Sequence, residues 1–512
     1  MRDNFYKKEE TIFVILFESI IVGTIAGLFS VLYRFIVSKM GIIRGNLYGS
    51  VNLKNILIIL ALAVVISWTI NYLLKIAPLS GGSGIPQIRG EILGKFDMNS
   101  EKVLLSKILG GSLGNLMGFS LGREGPSIQM GGASAKIIGR LMKRPPDEVK
   151  YMITAGAAAG LAAAFNAPMA GCIFAMEELH KSFSKFVLLP ALIASIIANY
   201  ISFVLMGYDT SFSFAVKETM PIKFMWVAVI VGLVTGIVGV FFNKLIVMFQ
   251  DFFKKFNSKV LKYSVLMGVA ILVGYSFVEM TGGGHGLLED MAKSEFPLKY
   301  ILLIIVIKLL FTTFCYGSGV QGGIFLPVLV IGGASGALVY SLMHGVDGLQ
   351  NYYVNFIILG MSGILASVVR SPILSIILVS EMTSTFEHLI GLSVVVVVSY
   401  YVAEALRVDP IYETLFERQL KDKNLLETPE RDLSDYSVFE YGVNAGSNII
   451  GKTLAEINFP RHLIIISIER DNYEFVPVAG DEIRAGDKLL VLAKAEYFLE
   501  IDKFFSRELE KA

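Results

Sequence analysis

Long apolar runs, separated by short polar or glycine-rich breaks, dominate the chain up to about residue 420. Beyond that point charged and apolar positions alternate over short distances. Four runs, 12–37, 56–74, 224–242 and 390–406, are long enough to cross a hydrocarbon core as ordinary helices, which takes roughly 17–25 residues. Others are interrupted. Gly110, Gly111, Gly114, Gly118, Gly122 and Gly125 crowd one stretch, and Gly317, Gly319, Gly322 and Gly323 crowd another just before Pro327. Non-helical backbone survives at membrane depth only where protein buries it or a wet cavity faces it. Short, broken apolar segments in matching places point to a transport site.

The matching is explicit. A shift of 201 positions superposes Lys107 on Lys308, Gly118 on Gly319, Gly122 on Gly323 and Pro126 on Pro327. It also superposes Gly131-Gly-Ala-Ser134 on Gly332-Gly-Ala-Ser335 without a mismatch. Further on the shift becomes 204, pairing Gly156 with Gly360, Pro168 with Pro372 and Glu177 with Glu381. The pattern is an internal duplication, 12–210 and 220–410, of a kind common in transporters.

Composition narrows the class. Of 512 residues 54% are hydrophobic and 17% charged, with mean hydropathy +0.63. A soluble globule could not bury so much apolar surface, and a disordered chain would not carry it. Cys172 and Cys315 lie in apolar runs and form no disulfide framework. The net charge of +1 leaves no basic field for nucleic acid,. That total conceals an asymmetry. From Glu413 onward there are 13 basic and 20 acidic side chains, so the first 412 residues are net positive by eight. We therefore expect a membrane domain over 1–420, a polar linker over 421–432 and a small soluble domain over 433–512. Lys7 and Lys8 before the first run predict a cytoplasmic N-terminus. That run is too long for a signal-peptide core, and no cleavage signal is expected.

The broken segments carry the candidate chemistry. Gly122-Arg123-Glu124-Gly125-Pro126 opens a helix-like run, as does its repeat mate Gly323-Ile324-Phe325-Leu326-Pro327 without the charges. A third segment, Gly82-Ser83-Gly84-Ile85-Pro86, sets a hydroxyl between glycines. Helix N-termini offer unpaired amides and about half a positive charge. Several converging at mid-membrane would hold an anion and still release it. Each segment taken singly is equally well explained as helix packing. Glu124 is an acid at intramembrane depth, a functional candidate by default; the competing explanation is a salt bridge with Arg123. Glu177 and Glu178, after the apolar run 155–176, have a helix-end, water-facing placement that could also be a plain polar boundary. His285 in Gly282-Gly-Gly-His-Gly286 is expected in a loop. Neither a metal nor a cofactor set, nor a nucleophile–base pair, is expected, so the chain is not expected to be an enzyme.

Taken together, Gly82-Ser-Gly-Ile-Pro86, Gly122-Arg-Glu-Gly-Pro126, Gly323-Ile-Phe-Leu-Pro327 and Tyr412 in Asp409-Pro-Ile-Tyr412 resemble, in order and spacing, the CLC chloride channels and proton–chloride antiporters. The resemblance implies an all-α polytopic membrane protein, an inverted repeat of broken and tilted helices, assembled as a homodimer in the lipid bilayer with one anion pathway per subunit. It implies that the Ser83 and Tyr412 hydroxyls and the amides of Ile324 and Phe325 bind chloride. Glu124 would be the gating glutamate, Glu178 the internal proton glutamate, Glu177 its water-accessible neighbour and Lys107 a structural lysine. An acid at position 178 favours a proton-coupled chloride antiporter; the alternative is a passive voltage- or pH-gated chloride channel of the same fold. Ser83 in place of proline argues for chloride over nitrate, and the motifs are not those of fluoride-specialised members. Gln87 and Arg89 depart from the acidic residues some antiporters carry there.

The tail reads as mixed α/β, with strand-like runs at 463–468, 474–477 and 488–492, a turn at Asp471-Asn472 and an amphipathic helix over 495–505. Gly446-Ser-Asn-Ile-Ile-Gly-Lys-Thr-Leu454 and Asp481-Glu-Ile-Arg-Ala-Gly-Asp487 resemble a TrkA-C (RCK C-terminal) regulatory domain. Such domains dimerise and in some prokaryotic transporters bind small ligands, so a small molecule is an expected partner beside chloride and protons. The resemblance implies a multi-pass protein of a prokaryotic inner membrane with both termini cytoplasmic.

Overall fold

A computed structural model describes residues 2–509 except 208–210, 213, 215, 217, 424, 426–435, 445, 461, 471–472 and 495–496. The chain divides into two compact units, Met1–Leu420 and Lys421–Ala512. Most of the linker expected over 421–432, and the turn at Asp471-Asn472, lie outside the described residues.

The first unit is helical and multi-pass, and its helices fall into two matching series. The first is α1 (Arg2–Tyr48), α2 (Leu53–Ile76), α3 (Ile85–Ile92), α4 (Ser100–Leu116), α5 (Glu124–Leu141), α6 (Pro146–Phe165), α7 (Pro168–Phe174) and α8 (Lys185–Met206). The second is α9 (Trp226–Lys254), α10 (Lys259–Ser276), α11 (His285–Lys293), α12 (Leu298–Gly317), α13 (Phe325–Leu342), α14 (Tyr353–Val369), α15 (Pro372–Thr383) and α16 (Leu389–Ala405). A final helix, α17 (Ile411–Asp422), begins at Tyr412's turn. Among the described residues seven helices are long and apolar enough to cross a membrane. The four runs expected to span fall within or largely overlap α1, α2, α9 and α16.

Duplicated glycines serve two purposes. Some are packing contacts. A Cβ on Gly131 would overlap the carbonyl of Gly156 and the reverse, and Gly332 and Gly360 form the same reciprocal pair between α13 and α14. With no side chain at either position the two backbones touch, which is how helices associate where burial from water supplies little. Others mark the breaks. Gly82 and Gly84 have φ of +64° and +98°, and their counterparts Gly282 and Gly284 have +65° and +89°. Only glycine takes these values without strain. Gly284 is thus the N-cap of α11, and His285 is its first residue rather than a loop residue.

In the second unit an antiparallel sheet of order β1-β4-β2-β3 is formed by β1 (Tyr436–Gly442), β2 (Leu463–Arg470), β3 (Tyr473–Phe475) and β4 (Lys488–Lys494). Helix α18 (Phe498–Leu509) buries Ile501 and Phe505 against Ile468, Leu489, Val491 and Ala493. The helix begins later than the expected 495, and residues 495–496 are not described. Strand β1 was not anticipated. Asp487 is fully buried, gripped by the Arg470 guanidinium through two bonds of 2.7 Å and by the Arg484 amide at 2.8 Å. Burial alone would push its carboxyl up, but these donors outweigh that and hold it below its ordinary range,.

Candidate functional site

Three breaks meet in the middle of the membrane unit. Gly122 and Gly323 exchange reciprocal backbone hydrogen bonds of 2.7 and 2.8 Å. Gly82 donates to the Val320 carbonyl and accepts from the Gly322 amide, both at 3.0 Å. Backbone polar groups that helices leave unpaired are therefore satisfied across the two halves, as a non-aqueous setting requires. A Cβ on Gly125 would lie 2.9 Å from the Ser83 carbonyl and 3.1 Å from the Gly323 Cα, so all three loops touch at one point.

Around that point lie the side chains singled out by sequence. Ser83 is fully buried, with its Oγ 3.4 Å from the Tyr316 hydroxyl. Tyr412 is buried and its hydroxyl has no hydrogen-bond partner; its ring lies 5.8 Å from that of Phe325. Ile324 is the N-cap of α13 and Phe325 its first residue, so their amides have no acceptor within the helix. A buried hydroxyl without a partner and helix-start amides without a helical acceptor are polar groups that a further acceptor would satisfy.

Glu124 is the first residue of α5 and fully buried. A Cβ on Gly122 would overlap its carboxylate, so a side chain before Arg123 would push the Glu124 carboxylate from this position. The carboxylate faces the amides of Glu124 itself and Leu326, yet neither oxygen closes a hydrogen bond. Arg123 Nε lies 3.8 Å away, an ion pair without a hydrogen bond,. Above these loops a cavity of about 520 Å³ is lined by Arg34, Arg44, Arg123, Gly122, His285 and Leu326, among others.

Tyr412 is within Coulomb range of both Glu124 and Glu178. Glu178 sits in a single π-helical turn, Ala175–His180, and accepts a 2.8 Å hydrogen bond from Ser371 Oγ. Such turns recur at functional sites because they swing one side chain out of helical register. A helix-end position suggested an open, wet setting, but Glu178 is buried. Glu177 is partly buried and engaged through both oxygens by the Ile373 and Leu374 amides of α15, at 3.2 and 2.7 Å. Its repeat mate Glu381 does the same for the Met169 and Ala170 amides of α7, at 3.0 and 2.7 Å. Each half thus supplies the N-terminal cap of the other half's helix.

Buried lysines hold the loops from behind. Lys107 Nζ donates to the Gly82 carbonyl at 2.6 Å, and Lys308 Nζ to the Gly282 carbonyl at 3.0 Å and to Ser120 Oγ at 2.8 Å. Gln87 also holds the first loop, donating to the Gly81 carbonyl at 2.9 Å. Arg89 pairs with Glu413 at 2.6 Å and lies 5.2 Å over the Phe416 ring, while Lys181 takes the same Glu413 carboxylate. This network ties α17, the bearer of Tyr412, to α3 and to the Glu178 turn. Sequence reading missed Tyr316, Ser371 and Glu413. Tyr316 borders a duplicated break and Glu413 follows Tyr412, which are the only signals that could have drawn attention to them.

A family profile described as voltage gated chloride channel matches residues 62–404. The chain belongs to the voltage gated chloride channel family. Residues 438–506 match the TrkA-C domain. Among curated members of the family, a protein named H(+)/Cl(-) exchange transporter ClcA from Vibrio parahaemolyticus is 32% identical over 443 residues, covering 83% of this chain and 93% of the relative. Among solved structures, that of a slow cyanobacterial Cl-/H+ antiporter has a TM-score of 0.76 at 30% identity, covering 80% of this chain and 99% of the other. A CLC-type fluoride/proton antiporter, at 22% identity and TM-score 0.66, covering 78% of this chain and 96% of its own, shares the fold of this chloride channel family member.

Proposed function

We propose that the protein is a proton-coupled chloride antiporter, a homodimer of a prokaryotic inner membrane with both termini cytoplasmic. The observation that carries this reading is a pair of buried carboxylates, Glu124 and Glu178, both within Coulomb range of the buried, unpartnered Tyr412 hydroxyl. The names of the relatives point the same way.

Chloride binds between the Ser83 and Tyr412 hydroxyls and the Ile324 and Phe325 amides. These are dipoles, so the ion is held without the full charge that would slow its release. The Glu124 carboxylate is itself an anion beside helix N-termini, and it competes with chloride for the same field. A proton arriving at Glu124 removes its charge and frees the outer position. Glu178 passes that proton to or from the cytoplasmic side, while Ser371 and the Arg89–Glu413–Lys181 network hold it in place. Glu177 assists proton entry from its partly exposed position and caps α15. The arginine-lined cavity gathers anions at the outer mouth. The TrkA-C unit regulates transport in response to a small molecule.

The test is flux in liposomes of purified protein. A chloride gradient alone should drive protons uphill, and Glu178→Gln should abolish that movement while chloride flux persists. Chloride flux that reverses at its Nernst potential across a pH gradient, with no proton movement, establishes a passive channel instead.

A further inference from the structure

A second cavity, of about 460 Å³, opens between α2 and α10, away from the anion pathway. The two helices run antiparallel. The end of α10 lies by the start of α2, since the rings of Tyr48 and Tyr275 meet edge-on at 5.1 Å just before α2 begins. The beginning of α10 lies by the end of α2. There Lys262 Nζ stands 3.9 Å from where a Gly319 Cβ would be, and the Gly319 carbonyl packs on Gly81 just past α2.

This orientation sorts the lining by polarity along the groove. Leu60, Val64, Met267 and Ile271 line one end; Asn71, Ser67, Ser264 and Lys259 line the other. From Leu60 to Asn71 the helix rises about 16 Å, close to the length of a fatty acyl chain's extended portion. Trp68 lines the groove and stacks on Tyr72, with centroids 5.8 Å apart, both largely exposed. Stacked exposed aromatics of this kind mark the depth of lipid headgroups. They lie at the polar end.

That end is cationic. Lys254, Lys255, Lys259 and Lys262 fall within nine residues, and no acidic residue occurs from 252 to 278. Lys259 lines the mouth and Lys262 lies three residues on along the same helix, so the two like charges are neighbours on one face and repel,. The positive end of the α10 helix points the same way. An anion there relieves the repulsion, and basic pockets between membrane helices bind acidic lipid headgroups.

We propose that this groove is a binding site for one anionic phospholipid, its acyl chain along Leu60–Ile271 and its phosphate at Lys259 and Lys262. Occupancy braces α2 and the Gly81–Ser83 loop that directly follows it.

Native mass spectrometry of the purified full-length protein, titrated with phosphatidylglycerol and phosphatidylcholine of equal chain length, tests the site. Phosphatidylglycerol should bind more tightly, and Lys259→Gln should weaken it about fivefold, the share of one lysine facing an acidic headgroup, while leaving phosphatidylcholine unchanged. Gly268→Phe should block retention of both lipids. A Cβ at Gly268 meets nothing within 4 Å, so the new ring occupies the groove without displacing the core. Chloride flux in liposomes checks that each variant folds; Lys259 is exposed, so its variant carries the test if the bulkier one does not. Equal binding of the two lipids by the unmodified protein, or an unchanged preference in Lys259→Gln, overturns the proposal.

Discussion

The loop at Gly82-Ser83-Gly84 and the loop at Gly282-Gly283-Gly284 are the same piece of backbone made twice. Their glycines match in φ to within ten degrees, each follows a short 3-10 turn, and each is held by a buried lysine. Only the first carries a hydroxyl. It lies 3.4 Å from the Tyr316 hydroxyl, whereas the second loop borders His285 and the outer cavity. The duplication built a scaffold of satisfied, helix-breaking backbone, and one side chain per loop assigns the task. The same holds for the breaks at Gly122 and Gly323. One places Glu124 at the start of a helix; the other places Phe325 there and offers amides.

Substitutions can break this asymmetry or sharpen it. The largest effect belongs to the carboxylate that only one half possesses: Glu124→Gln should abolish proton movement driven by a chloride gradient while chloride still passes. Retained coupling in that assay would place the exchanging acid elsewhere. Next come the paired lysines. Lys308→Met should destabilise the protein by about 3 kcal/mol, because three bonds to oxygen are lost and buried carbonyls go unsatisfied,. Lys107→Met should cost about 1–2 kcal/mol for its single bond,, and should also weaken chloride binding measured by calorimetry. Equal loss of chloride affinity in both variants would mean that both loops bind. Ser83→Gly makes the first loop a copy of the second. It should leave the melting temperature within a few degrees and weaken chloride binding about tenfold, the worth of one hydrogen bond to a charged group.

The one expected change that leaves transport untouched lies in the tail, away from both loops. Asp487 has its carboxyl held below the ordinary range, so it adds stability above about pH 4 that disappears as pH falls through its folded value,. Asp487→Asn should remove that acid sensitivity. It should cost the tail about 2 kcal/mol, less than a fully buried pair because Arg470 is partly exposed,. Limited proteolysis of the full chain against pH measures both.

The membrane fold was legible because duplication leaves matching glycines and prolines in register, and these report backbone geometry directly. Ser83, Glu124, Phe325 and Tyr412 could be named because each sits within or beside such a break. The second loop escaped recognition because its counterpart to Ser83 is a glycine in a glycine-rich chain. The Arg89–Glu413 pair joins positions 324 apart, and no local pattern encodes it. Glu177 and Glu381 had been aligned with one another, but alignment says nothing of which amides they meet. Strand β1 was missed because its Tyr-Ser-Val-Phe-Glu-Tyr-Gly sequence adjoins a charged segment and takes its apolar partners from β4, some fifty residues on.

Those reciprocal caps bear on how the molecule is made. While the ribosome is still extending the second half, the Met169 and Ala170 amides and the Gly122 backbone have no partner, since Glu381 and Gly323 have not yet been synthesised. The first half must therefore wait in the bilayer unfinished, and its central helices lock only when the last third of the membrane unit arrives. Residues 1–220 produced alone should be degraded, and co-production of 221–512 should rescue them.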